Sequence, residues 1–299
     1  MYDPHPSPLR YPGGKSSLTE FLSRTIRLNG LEGGTYVEPF AGGAGAALGL
    51  LFSEKVCEIC INDKDPCIHA FWKSILDHTE EFLERLEQTP VTVRTWKKQK
   101  SILRSPHQHP LVEVGFATFY LNRCNRSGVL NAGPIGGMKQ DGEYRISVRF
   151  NKDRLRKRIE KIALYRERIK VRNLDAVTFL RRIFEKDRIR KDSSLVYMDP
   201  PYFEKARRLY AFYFHEADHE RLATYLNNNA DFRWIISYDD SPSVRELYSA
   251  CSKLVLRNYS VHSARIGREL LISSRSCSLP TRPFPDRTSA RSKVAQPCS

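Results

Sequence analysis

A tetrapeptide that could hold an amino group follows a short apolar run in the second half of the chain. It is Asp199-Pro200-Pro201-Tyr202, directly after residues 194–198. The carboxylate of Asp199 can accept one hydrogen bond, and the carbonyl of Pro200, held extended by the next proline, can accept a second. The ring of Tyr202 offers a flat face on which a base can stack. These groups fit an exocyclic amino group on a planar ring, although a rigid Pro-Pro turn with a capping aspartate explains the tetrapeptide alone more simply.

A glycine-rich turn earlier in the chain could hold a nucleoside. An apolar strand pattern ends at Glu38, and Gly42, Gly43 and Gly45 then open a helix-like run. Glycines let a ligand approach the backbone closely, and a helix N-terminus favours negative charge. About 20 residues later, Asp63 ends a second strand pattern, where a carboxylate can accept hydrogen bonds from ribose hydroxyls. A nucleoside site and a plain tight turn explain these features equally well.

The order of five motifs resembles a known enzyme family. The chain is similar to the S-adenosylmethionine-dependent DNA adenine-N6 methyltransferases, in the class of the bacterial DNA adenine methylases. The resemblance covers about residues 9–273, with the motif for the cofactor first, the target-recognition region next and the DPPY motif after it. The motifs are RYPGGK (10–15), VEPFAGGAG (37–45), IND (61–63), NLD (173–175) and DPPY (199–202).

The resemblance implies a role for each matching residue. In the first motif, Tyr11 and Lys15 would lie near the methionine end of S-adenosylmethionine, with Tyr11 where several relatives have Trp. Asp63 would bind the ribose and Asp175 the adenine amino group of the cofactor. The other residues implied at the cofactor are Glu38, Phe40, Gly42, Gly43 and Asp199, and those implied in catalysis are Asp199, Pro200, Pro201 and Tyr202. The match is looser in the recognition region, where the candidates for DNA contact are Asn122, Arg123, Arg126 and Ser127.

The chemistry implied is direct methyl transfer to a base. The adenine N6 lone pair is delocalised into the ring, so it is a poor nucleophile. Hydrogen bonds from its two N–H groups to Asp199 and to the carbonyl of Pro200 would localise the lone pair for in-line attack on the methyl group, and positioning and electrostatics would supply most of the catalysis. The adenine must leave the duplex to reach this site, at a cost of a few kcal/mol.

The elements that must position these residues alternate between strands and helices. We predict strands over 35–40, 56–63, 169–175, 193–199 and 233–239, with helices between them and two terminal strands that could pair. This pattern predicts an α/β, Rossmann-like methyltransferase sheet with an inserted helical and hairpin target-recognition lobe. We assign 1–70 and 151–275 to the catalytic domain, 71–150 to the lobe, with a long loop and a short hairpin, and 276–299 to a disordered tail.

The charge of the chain indicates a polyanionic partner. It has 49 Lys and Arg against 34 Asp and Glu, which gives a net charge of +15. Residues 145–191 contain 18 of the basic residues and 6 acidic ones, so this segment alone has a net charge of +12. This segment is either a solvated surface or a face for double-stranded DNA. The absence of an apolar run of about 18 residues excludes a membrane helix. Seven cysteines and no apolar signal segment predict reduced thiols, no metal site, and a cytoplasmic, nucleoid-associated protein.

Other functions are compatible with the same motifs. An RNA adenine-N6 methyltransferase would use the same site, and a catalytically silent nucleic-acid-binding domain would keep only the fold. An enzyme for cytosine N4 would more usually have Ser, and one for protein glutamine Asn, in the place of Asp199. The class also leaves open a cognate restriction endonuclease as a partner.

Overall fold

A computed structural model describes residues 5–10, 18–201, 214–229, 231–259 and 266–280. The predictions for Tyr11, Lys15 and Tyr202, and for the tail from residue 281 onward, lie outside these residues.

A single mixed sheet organises the described part of the chain. Its seven strands have the order β3-β2-β1-β4-β5-β7-β6, in which β3 to β5 are parallel and β7 is antiparallel to both of its neighbours. The strands are β1 Thr35–Glu38, β2 Glu58–Asn62, β3 Ile169–Arg172, β4 Ser194–Met198, β5 Arg233–Asp239, β6 Ser252–Tyr259 and β7 Ile266–Ser273. The predicted α/β, Rossmann-like fold is confirmed.

The strand order reverses between β1 and β4. From β1 the chain moves outward to β2 and β3, and then returns to the other side of β1 to form β4 and β5. In sheets of this type, ligands bind in the crevice at the carboxyl ends of the strands beside such a reversal. The glycine-rich turn follows β1 and the DPPY motif follows β4, so the topology brings these two segments to one place.

Helices cover both faces of the sheet because its strands are buried on both sides. The helices are α1 Thr19–Leu28, α2 Gly45–Phe52, α3 Pro66–Asp77, α4 Thr79–Gln88, α5 Val93–Ile102, α6 Leu111–Cys124, α7 Lys152–Leu164, α8 Ala176–Glu185, α9 Glu216–Asn228 and α10 Pro242–Leu247. Alternate strand residues face opposite cores: Tyr36 packs with side chains of the layer from α1 to α7, and Val37 with those of α8 to α10. This alternation is the period of two that a strand imposes.

The helices between β2 and β3 join the core of the sheet. Phe71 of α3 stacks against Phe119 of α6, and Phe82 of α4 packs against both rings. A Cβ on Gly115 would come within 2.2 Å of the hydroxyl of Ser74, so α3 and α6 cross too closely for a larger residue. The division into a catalytic domain and a lobe that begins at 71 stays a prediction, and α3 runs across that boundary.

The predicted hairpin between α6 and α7 is wrong. This segment has short 3₁₀ turns at Arg126–Gly128 and Ile146–Arg149 and one isolated bridge from Asn125 to Pro134. The side chain of Gln140 takes the backbone hydrogen bonds that a second strand would supply, since it donates to the carbonyls of residues 135 and 137 and accepts from the N–H of residue 146. The sequence interpretation also missed α1 and α5.

The predicted tail begins too early. Cys277 is buried in the core, and Ser278 exchanges two hydrogen bonds with Asn29, which follows α1. Residues 276–280 are therefore packed against the domain, because an apolar side chain and a paired amide hold them there.

Candidate active site

The glycine-rich turn is fastened on both sides. The N–H of Gly42 donates to Asp63 Oδ2 at 2.9 Å, and the Gly42 carbonyl accepts from Nε1 of the buried Trp72 at 2.9 Å. Gly42 has φ of 46°, a left-handed conformation that favours glycine. After this turn α2 begins at Gly45, so the helix N-terminus opens toward the carboxyl ends of the strands.

Asp63 lies at the centre of this arrangement. Its Oδ1 accepts from the N–H of Asp65 at 2.9 Å while its Oδ2 holds Gly42, and Asp65 in turn caps α3. Burial raises the pKa of Asp63 to about 7, against the effect of its two backbone donors. The carboxyl group predicted to bind the ribose thus changes its charge near neutral pH.

Asn62 is the residue of this region that the sequence interpretation missed. It is buried, and its Nδ2 donates to the carbonyls of Pro39 at 3.0 Å and Leu174 at 2.9 Å, while its Oδ1 accepts from the N–H of Leu174 at 2.9 Å. One side chain therefore joins the loops that follow β1, β2 and β3. The signal was an Asn at the end of a buried strand, where an amide must find partners.

Asp199 and the two prolines follow β4, beside the end of β1. The Oγ of Ser237 on β5 lies 2.8 Å from Asp199 Oδ1. Glu38 is buried at the end of β1. Burial raises the pKa of the Tyr36 hydroxyl well above its ordinary value, and the nearby charges of Glu38 and Asp199 raise it further. Two predicted site carboxylates therefore lie around one buried tyrosine.

Asp175 and Phe40 lie on the α8–α9 side of the crevice. Asp175 Oδ1 caps α8 by accepting from Val177 at 3.1 Å, and its Oδ2 pairs with Arg221 at 2.6 Å. The ring of Phe40 packs edge to face against Phe214, at 5.5 Å between centroids. The turn after β1 therefore contacts the segment that leads into α9.

The four recognition-region candidates occupy different environments. Arg126 and Ser127 are exposed, and Ser127 has φ of 54°. Asn122 is buried: its Oδ1 accepts from the N–H of Arg10 at 2.7 Å, and its Nδ2 donates to the carbonyls of Arg10 and Gly128. This position does not support a contact of Asn122 with DNA, because all of its polar atoms already serve the backbone.

Arg123 belongs to a cluster of guanidinium groups. Burial and, next, the nearby charges of Arg10 and Arg158 lower the pKa of Arg123 to about 9. Arg149 is also close, and its carbonyl accepts from Nε of Arg123 at 2.7 Å. Among the described residues, Arg10, Arg123 and Arg149 have no ion pair with a carboxylate. Positive charge gathered in this way favours an anion.

The basic segment 145–191 does not form one face. Its first part precedes and begins α7, at the end of the sheet where the parallel strands have their carboxyl ends. The chain then reaches the opposite end twice, before β3 and before β4. There Arg168 pairs with Glu54 at 2.7 Å and Lys191 with Asp231. The first part of the segment and the residues that follow β3 share an end of the sheet with Asp199, whereas Arg168 and Lys191 lie at the opposite end.

Two further properties concern metals and membranes. Among the residues that the structure describes, no group of three or more His, Cys, Asp or Glu side chains could hold a metal ion. None of the described helices is both long and apolar enough to cross a membrane.

A sequence model of one family matches residues 11–262 of the chain. Its description is D12 class N6 adenine-specific DNA methyltransferase. The chain belongs to this family. The methyltransferase therefore acts on adenine N6 in DNA and uses a methyl donor, as the order of the motifs had indicated. No curated protein matches the chain.

The first prediction concerns Asn62 of the methyltransferase. Replacement by alanine should lower the free energy of unfolding by about 2 kcal/mol, because the buried backbone groups after β1 and β3 lose their partner. Urea denaturation of wild type and N62A measures the difference. Asn173→Ala is the matched control: its exposed amide also bonds two loop carbonyls, which water can satisfy, so we expect a change of about 0.5 kcal/mol or less. Equal losses of unfolding free energy in the two variants would contradict the conclusion that Asn62 joins the loops after β1 and β3.

Proposed function

We propose that the chain transfers the methyl group of S-adenosylmethionine to adenine N6 in DNA at the crevice between the ends of β1 and β4. The observation that carries this proposal is the placement of Asp199-Pro200 beside the turn at Gly42, at the reversal of strand order. Both segments are required, one for the base and one for the methyl donor. The fold creates their proximity although they are far apart in sequence.

The residues around the turn fit S-adenosylmethionine. A carboxylate oxygen can accept two hydrogen bonds, so Asp63 retains acceptor capacity for ribose hydroxyls beyond its bonds to Gly42 and Asp65. Gly42 has no side chain to obstruct a close approach, and Glu38 and Phe40 flank the same turn. We propose that Asp175 accepts from the adenine amino group of the cofactor at lone pairs that its cap and Arg221 leave open. The cofactor, when bound, supplies an electrophilic methyl group.

Asp199 and Pro200 prepare the nucleophile. The carboxylate and the Pro200 carbonyl each accept one N–H of the target amino group, which favours a lone pair localised on nitrogen. Neither proline has an N–H group that would compete for the carboxylate. We propose that the target adenine leaves the duplex to reach them, with Tyr202 stacking on the base.

We propose that DNA lies across the catalytic end at the arginine cluster. Arg149 is exposed there and its carbonyl holds Arg123, and the exposed Arg126 follows Arg123 by three residues. Contacts to phosphates at this place offset the cost of extruding the base. A cytoplasmic, nucleoid-associated location fits such a substrate, and a cognate restriction endonuclease is a candidate partner for the same DNA site.

Methyl transfer by Asp199→Ala tests the central proposal. Label from tritiated S-adenosylmethionine should appear as N6-methyladenine in unmethylated duplex DNA with wild type, and fall by at least about 100-fold with D199A. Asp192→Ala is the control, because Asp192 is exposed and paired with Arg190 before β4. Full activity of D199A would refute its role. Label in N4-methylcytosine would show that the substrate base is cytosine, and label in RNA in place of DNA would show that the substrate is RNA.

The affinity for S-adenosylmethionine should depend on pH through Asp63. Below its pKa of about 7 the carboxyl group is protonated, and above it the ionised group accepts from the ribose hydroxyls more strongly. We expect the Kd to fall by up to about tenfold from about pH 6 to pH 8, measured by calorimetry. Asp63→Asn is the control, since it keeps any pH dependence that comes from the ligand. The same pH profile in wild type and D63N would contradict the prediction.

DNA affinity should depend on salt through Arg149. Replacement by alanine should weaken binding at all sequences and reduce the slope of log K against log salt by about 0.9, the effect of one lost phosphate contact. Fluorescence anisotropy over a series of salt concentrations measures this slope. Lys186→Ala removes the same charge after α8, at the other end of the sheet, and should leave the slope unchanged. A lower slope in K186A with no change in R149A would place the DNA elsewhere.

A further inference from the structure

The carboxylate of Asp199 differs from those of Asp63 and Asp175, which follow the parallel strands β2 and β3. Asp63 and Asp175 each accept from the backbone N–H two residues later, at 2.9 and 3.1 Å. The residues one and two positions after Asp199 are Pro200 and Pro201, which have no N–H. The prolines fix the backbone that follows Asp199. They cannot orient its carboxylate by the backbone hydrogen bond that Asp63 and Asp175 accept.

The neighbouring strand supplies a donor in its place. In the register of β4 and β5, Met198 lies opposite Ile236, so the next residues, Asp199 and Ser237, are side by side. The Oγ of Ser237 is 2.8 Å from Asp199 Oδ1 and 3.0 Å from the hydroxyl of Tyr197. Ser237 and Tyr197 are both fully buried. Both hydroxyls are therefore shielded from bulk water.

The direction of these hydrogen bonds follows from the number of protons. The Ser237 hydroxyl has one proton, and an ionised carboxylate can only accept. Ser237 thus donates to Asp199, since its other acceptor, the Met198 carbonyl, is at the longer distance of 3.5 Å. The Ser237 oxygen then accepts from the hydroxyl of Tyr197. The two hydrogen bonds thus run in one direction, from Tyr197 to Ser237 and from Ser237 to Asp199.

We propose that Ser237, supported by Tyr197, is a positioning residue for the methylation reaction. Its hydroxyl holds Asp199 Oδ1 and so turns Oδ2 toward the amino group of the target adenine. This inference rests on the proposed role of Asp199 and adds a second residue, on a different strand, to the catalytic arrangement. Because Ser237 is fully buried, we expect its effect on the methyl-transfer step and not on the binding of substrate or cofactor.

Single-turnover methyl transfer by Ser237→Ala tests the proposal. We expect the rate to fall about 10- to 100-fold, the range for loss of a hydrogen bond to a charged group, while the Kd values for S-adenosylmethionine and DNA change by less than about threefold. Ser237→Thr, which keeps the hydroxyl, should recover most of the rate. Ser194→Ala is the matched control: Ser194 is also buried and bonded through its hydroxyl, at the opposite end of β4.

The outcomes separate positioning from folding. S237A and S194A should lower Tm by similar amounts, but only S237A should lose rate. Equal losses of rate in the two variants, or a wild-type rate in S237A, would overturn the proposal. If D199A is inactive and S237A is fully active, only this inference fails, whereas an active D199A refutes the proposed function itself.

Tyr197→Phe tests the hydrogen bond between Tyr197 and Ser237. It should lower the rate by less than S237A does, and the double variant Y197F/S237A should be no slower than S237A, because Tyr197 acts on Asp199 through Ser237. If the rate losses of the two single variants multiply in the double variant, Tyr197 does not act through Ser237.

Discussion

The hydrogen bonds that join the loops at the carboxyl ends of β1, β2 and β3 are the interaction on which the site depends. Asn62 and Asp63 are adjacent in sequence, and between them they hold the loop after β1 with its glycine turn, the loop after β2 and the loop before α8. Backbone groups in these loops leave the sheet ladder and would otherwise be buried without partners. Two polar side chains at the end of one strand thus convert three separate loops into one wall of the crevice.

The opposite wall depends on a different constraint. Pro200 and Pro201 fix the backbone conformation after β4. Because proline has no N–H group, they also remove the backbone donors that would orient Asp199. The hydroxyl of Ser237 is then the contribution of β5 to the arrangement. Rigidity of the main chain and orientation of the carboxylate come from different strands, so both strands must pair in register for the site to form.

The sequence predicted the parts of this molecule that depend on local periodicity. The parallel strands and the helices α2, α3, α8 and α9 were expected close to where they lie, because buried strands and amphipathic helices each leave a regular apolar pattern. The proximity of Gly42 and Asp199 also followed from strand order. Long-range polar contacts left no such pattern: nothing local shows that Asn122 serves Arg10, that Gln140 replaces a hairpin, or that Ser237 faces Asp199.

The bond between Asn122 and Arg10 has a consequence for how the two substrates bind. Both backbone groups of Arg10 are held by a side chain of α6, immediately before the motif at 11–15 and immediately before the arginines of the recognition region. The two hydrogen bonds couple the backbone of Arg10 to the end of α6, so a displacement of either one is transmitted to the other. Under the proposed function, a ligand that moved Arg10 would therefore change the binding of DNA at the arginines that follow Asn122, and such coupling is reciprocal by necessity.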